Sequence, residues 1–137
     1  MENFHIKIVR LKNGEDIICF CFEDYKNNKV YLKYPKIFYM GYNYETDPPT
    51  EELVLDDWLN PQAFAYQDVF IKSDEVLFVT YSNIQFGCIY LESLLETLDE
   101  ESELFDGIKE TLNKYNEEST ESIDSINPKS KTIHWSI

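Results

Sequence analysis

Positive charge is scarce in this chain. Twelve Lys and Arg face twenty-six Asp and Glu, for a formal net charge of −14. Affinity for nucleic acid comes largely from Lys and Arg displacing phosphate counterions, so the balance argues against broad nucleic-acid binding. Long hydrophobic runs are missing as well: no stretch of eighteen apolar residues exists, and no membrane-spanning helix or membrane partner is expected. Met1-Glu2-Asn3-Phe4-His5-Ile6 lacks the basic and apolar regions of a secretory signal. Cysteine is limited to Cys19, Cys21 and Cys88, an odd count that fits reduced thiols in a cytosol. His5 and His134 stand alone, and no Ser-His-Asp or Cys-His spacing can be defended. The expectation is therefore a protein without enzymatic activity, cofactor or metal.

What the chain does have is apolar and aromatic bulk. Hydrophobic residues make up 43%, enough for a real core in one domain. Ten Tyr and nine Phe stand against only four Gly, which fits a small β domain packed with rings. The charge is uneven. Residues 1–91 carry fourteen acids and eight Lys/Arg, while residues 92–124 carry twelve acids and two Lys. The last thirteen residues have Lys129 and Lys131 and no acid.

Phe4, Ile6, Ile8 and Leu11 approximate strand alternation, and Lys12-Asn13-Gly14-Glu15 reads as a turn. Asp16 to Phe22 reads as a second strand. Ile18, Phe20 and Phe22 lie on one face and Ile17, Cys19 and Cys21 on the other, so the strand is expected to be central and covered twice. Val30 to Met40 resumes as strand, and Pro35, which cannot donate to a ladder, predicts a bulge or bend. Gly41 to Glu52, with Asp47-Pro48-Pro49, reads as a flexible excursion. Two apolar runs, Val69-Phe70-Ile71 and Val76-Leu77-Phe78-Val79, flank the polar turn Lys72-Ser73-Asp74-Glu75. Short strands at this spacing predict a barrel or sandwich. Ser82 or Asn83 is a candidate cap for a helix in which Ile84, Cys88, Leu91, Leu95 and Leu98 recur at helical spacing. Leu104, Phe105, Ile108, Leu112 and Tyr115 form a second amphipathic piece. Asn116 to Lys131 is rich in Ser, Glu and Asn and reads as disordered or a linker.

Several of these segments together resemble the two signatures of Sm-like proteins. Leu11-Lys12-Asn13-Gly14 with Ile17 resembles the opening of the first motif. Asp24-Tyr25-Lys26-Asn27-Asn28 resembles its loop, and Leu32 sits near the leucine that closes it. The run from Val69 to Val79 resembles the second motif, with Lys72-Ser73 where the family has Arg-Gly. A narrower resemblance is to the Sm-like proteins of marine T4-like phages, through Gly14-Glu15-Asp16-Ile17-Ile18, Tyr34-Pro35-Lys36-Ile37 and Trp58-Leu59-Asn60-Pro61. The resemblance covers residues 4–81. It implies a mostly β chain: an Sm-like five-stranded bent β-barrel over residues 1–81, with a loop insertion around 41–65. An acidic amphipathic helical extension over 82–116 and a flexible tail over 117–137 follow. It also implies a homo-oligomeric ring built by edge-strand pairing, acting in the cytosol of an infected host.

In RNA-binding Sm rings the loop Asn and the Arg of Arg-Gly hold a base at the pore. The matching residues are Asn28 and Lys72, with Asp24 as the supporting acid. The plainer reading is a turn stabilised by Asp24 and Asn28 beside a solvated Lys72. Tyr25, Tyr31, Tyr34, Tyr39, Tyr42 and Tyr44 read either as a stacking platform or as packing of the barrel and ring interface. Cys19 and Cys21 read as buried small hydrophobes, and Glu51-Glu52 and Asp56-Asp57 as acidic surface. For an unidentified protein partner, Leu104 and Phe105 lie among acids as in partner-binding peptides, and Ile133, Trp135 and Ile137 alternate like an added strand. The expected role is a scaffold or adaptor ring, with an RNA-binding ring as the alternative.

Overall fold

The computed structural model describes residues 3–98, 100 and 102–125. It is mostly β, with six antiparallel strands and two helices: β1 (His5–Leu11), β2 (Asp16–Asp24), β3 (Lys29–Asn43), β4 (Thr50–Asp57), β5 (Asp68–Lys72), β6 (Val76–Tyr81), α1 (Ile84–Thr97) and α2 (Glu103–Ser125). The chain divides into two compact units. One takes in the described residues up to Gly41 together with Leu53–Ser82; the other takes in Tyr42–Glu52 and the described residues from Asn83 onward.

The sheet runs β4-β3-β2-β1-β6, with β5 also paired to β3. It is not closed into a barrel, which corrects the expected five-stranded barrel. The strand β4 is the sixth, and it arises where the sequence predicted a loop. The sheet is nevertheless curled. Four strand spacings of about 4.8 Å would set β5 and β6 roughly 19 Å apart on a flat sheet. Only the 3-10 turn Ser73–Glu75 joins them, and at about 2 Å of rise per residue it spans roughly 8 Å. That turn is pinned at both ends: Ser73 N–H donates to the Asn28 carbonyl (3.2 Å) and Lys12 N–H to the Glu75 carbonyl (3.0 Å).

The strand β2 sits between β1 and β3, and Ile17 through Cys21 are all buried, as the apolar pattern on both its faces predicts. Val9, Leu11, Ile17, Cys19, Cys21, Val30 and Leu32 form the core on one face, with Trp58, Val69, Ile71, Val76 and Val79 packed against it. Gly14 turns β1 into β2 at φ 92°, a left-handed conformation that favours glycine. The expected irregularity at Pro35 is present. Pairing of β2 with β3 shifts between Ile18, opposite Lys36, and Phe20, opposite Lys33, so the extra residue falls at Tyr34-Pro35. Tyr34 there adopts φ 51°.

That bulge lets β3 serve two neighbours. Lys29–Lys33 pairs with β5. Farther along, Lys36 bonds Asp57 (3.3 Å) and the Tyr39 hydroxyl donates to Asp56 (2.7 Å). Gly41 to Glu52 is thus no flexible excursion throughout: β3 continues to Asn43 and β4 begins at Thr50.

In the other unit, Asn83 caps α1, its side-chain oxygen accepting from the N–H groups of Gln85 (2.8 Å) and Phe86 (3.4 Å). The helices pack on one another. α1 buries Phe86, Cys88, Tyr90, Leu91 and Leu94, and α2 buries Ile108 and Leu112. α2 extends to Ser125, so residues 116–125, expected to be disordered or a linker, continue a helix. Ile133, Trp135 and Ile137, and the proposed strand they form, lie outside the described residues. Among the described residues, no helix is long and apolar enough to cross a membrane.

Candidate functional site

The three residues singled out for RNA come from two loops 45 residues apart in sequence, and the fold brings them together. The strand β2 ends at Asp24 and the 3-10 turn Tyr25–Asn27 follows. Asn28 closes that turn in the left-handed region, φ 55° and ψ 42°, with its N–H on the Tyr25 carbonyl. Asparagine tolerates this conformation better than most residues. The strand β3 then starts at Lys29, which stands opposite Asp24 on one side and Lys72 on the other. Directly opposed residues share a face, so Asp24, Lys29 and Lys72 form one row across three strands.

Hydrogen bonds fix the row's edge. Asn27 donates its amide to Asp24 (2.8 Å). The Ser73 hydroxyl donates to the Asn28 side-chain oxygen. The Ser73 hydroxyl thereby occupies the Asn28 amide oxygen, so what the Asn28 amide has left to offer is its N–H donors. Lys72 is exposed. The cluster offers amide donors and two ammonium groups beside one carboxylate.

Nearby, Lys7 on β1 bridges to Glu23 on β2 at 2.6 Å. Burial pushes the Glu23 carboxyl up, but hydrogen bonds from Lys7 and Tyr25 and the Lys7 charge together outweigh it and hold the carboxyl below its usual range. The hydrogen bond to Glu23 pushes the Tyr25 hydroxyl up to about 12. Tyr25 is thus a neutral donor at the loop and is already committed.

The tyrosines do not form one platform. Tyr25 is at the loop, Tyr31 is half-buried on the sheet, and Tyr39, Tyr42 and Tyr44 are exposed along the hairpin of β3 and β4. Sequence reasoning missed a different aromatic alignment. Phe4, Phe22, Tyr31 and Phe70 form a continuous row, with successive ring centroids 5.8, 6.0 and 5.9 Å apart. Its trace in the sequence is Phe22 on β2, Tyr31 on β3, Phe70 on β5 and Phe4 just before β1.

Cys19 and Cys21 are buried, and burial pushes the Cys19 thiol well above its ordinary range. A thiol held protonated is a poor metal ligand. Glu51 accepts from Tyr42, Asp56 accepts from Tyr39, and Asp57 pairs with Lys36. Leu104 and Phe105 are half-buried in the first turn of α2. No protein-family model matches the chain, and no curated protein matches it.

Proposed function

We propose that this chain is a non-enzymatic Sm-like phage protein that forms a homo-oligomeric ring and serves as a scaffold or adaptor for protein partners. The observation that carries the reading is the state of the sheet edges. Among the described residues β5 pairs only with β3, and β6 only with β1. An unpaired strand edge is a template for another strand. β6 also exposes Leu77 (61%) and Tyr81 (67%), which charged residues would replace on an edge built to stay single. Pairing of β5 in one copy with β6 in the next satisfies both edges, and the curl of the sheet favours closure over an open filament. Each copy then offers Leu104 and Phe105 to a partner, so that several weak contacts act together in the host cytosol.

Native mass spectrometry of the protein purified at low salt tests this. A discrete closed oligomer without nucleic acid is expected, and Leu77→Lys should reduce it to monomer without unfolding, since Leu77 is mostly exposed. A wild-type monomer removes the ring. A second reading, an RNA-binding ring, draws support from the clustering of Asp24, Asn28 and Lys72. It predicts oligomers carrying nuclease-sensitive RNA, which Lys72→Glu should release.

A further inference from the structure

The tip of the hairpin of β3 and β4, Tyr42–Glu52, presents two tyrosines to solvent: Tyr42 is 59% exposed and Tyr44 78%. Two residues apart on an extended chain, they share a face, and their ring centroids lie 6.2 Å apart. The tip itself is tied together. The Thr46 hydroxyl lies 3.1 Å from the Asn43 carbonyl and 3.0 Å from that of Pro48, and it accepts from the Thr50 N–H at 3.1 Å. The Glu45 N–H donates to the Asn43 side-chain oxygen at 2.9 Å. Glu45, Asp47 and Glu51 are exposed on the same tip, and Glu52 is half-buried. Among the described residues none of these four carboxylates is in an ion pair.

We infer that this tip docks an arginine-rich segment of a protein partner, with guanidinium groups over Tyr42 and Tyr44 and paired with Glu45, Asp47 and Glu51. The exposed rings make the surface, and the charge selects its occupant. Tyr42–Glu52 has no Lys or Arg, and the same unit carries twelve further acids against two Lys over residues 92–124. Residues 1–41 and 53–82 hold ten acids and eight Lys or Arg. Negative charge is thus concentrated on the unit that exposes the tyrosine pair, where it attracts cationic chains and repels nucleic acid. A lone metal ion fits poorly, since no group of three His, Cys, Asp or Glu among the described residues could hold one. A wholly apolar peptide would make no use of the carboxylates. Guanidinium suits both parts of the surface, because it stacks on an aromatic face and pairs with carboxylates through a planar fork. Tyr and Arg are also among the residues that most often dominate interface energy. Rings already held in place lose little freedom on binding. The inference deepens the adaptor reading and rests on it for the existence of a protein partner, but it needs no ring.

Fluorescence anisotropy of a labelled peptide of alternating Arg and Gly, titrated with the intact protein at physiological ionic strength, tests the inference. Saturable binding is expected, and a Lys-Gly peptide of equal charge should bind more weakly. Tyr42→Ala and Tyr44→Ala should each weaken binding about 2- to 5-fold, the loss of one exposed cation–π contact. Both rings are mostly exposed, so neither change unfolds the chain. Tyr44→Phe keeps the π-face and should bind like the wild type. Glu45→Gln with Glu51→Gln should weaken binding more than Glu110→Gln with Glu117→Gln, which removes the same charge from exposed positions of α2. Spermine, a cation without guanidinium groups, should compete poorly. Absence of saturable binding, wild-type affinity in both alanine variants, an equal loss from the α2 pair, or competition by spermine matching that of unlabelled peptide overturns the proposal. So does loss of the native oligomer in Tyr42→Ala, which would show that a second copy covers the tip. Peptide binding by a monomeric wild type would sink the ring and leave this inference standing.

Discussion

The sheet and the helix pair are ordered by different means. On one face alone the sheet core draws seven buried residues from β1, β2 and β3, far apart in sequence and interlocked by strand pairing. The helix pair is local in sequence. Its second member, α2, meets α1, and among its residues of described burial Ile108 and Leu112 are the buried ones; acids crowd the segment, residues 92–124 carrying twelve against two Lys. Order in the sheet is therefore shared among many contacts, whereas the described part of α2 is anchored through Ile108 and Leu112. Leu32→Ala should cost about 2–5 kcal/mol, because the site is fully closed and its neighbours cannot collapse into the gap. Leu112→Ala, at a position that keeps some exposure, should cost about 2 kcal/mol or less. Urea unfolding of the two variants compares them, and a larger loss at Leu112 would reverse the contrast.

A smaller effect tests whether the two regions respond separately. Asn83 is the cap that starts α1, and Asn83→Ala should cost about 1 kcal/mol. Hydrogen exchange should quicken in the first turn of α1 while the β2 amides stay protected. Equal quickening in β2 would mean that the sheet and helices open as one unit.

Much of this architecture is legible in the residues. The double apolar face of Asp16–Phe22 marks a central strand, Pro35 marks the bulge, and Asn83 with Ile84, Cys88 and Leu91 marks the start of α1. The hairpin of β3 and β4 is hidden because Asp47-Pro48-Pro49 suits a loop, and it does form the link between the two strands. The end of α2 is hidden for another reason. Its residues carry no core pattern, and a helix already nucleated at its anchored end propagates through residues that would not start one. The site divides the same way. Asp24, Asn28 and Lys72 are brought into view by family resemblance, since nothing local links two loops so distant in sequence. The aromatic row stays out of sight because period-two alternation tells which face a ring occupies and not which ring lies beside it on the next strand.

The smallest expected effect belongs to a single charge contact within the sheet. In the folded sheet the Lys7–Glu23 bridge holds the Glu23 carboxyl below the ordinary carboxylate range. A carboxyl with a lowered folded value stabilises the fold at neutral pH, and that contribution is lost as pH falls through the ordinary range toward the lowered value. Glu23→Gln removes the contribution at neutral pH and leaves nothing to lose in acid, so the urea midpoint of the variant should fall less between about pH 6 and pH 3 than that of the wild type. An unchanged acid limb in Glu23→Gln would show that the bridge contributes no pH-dependent stability to the sheet.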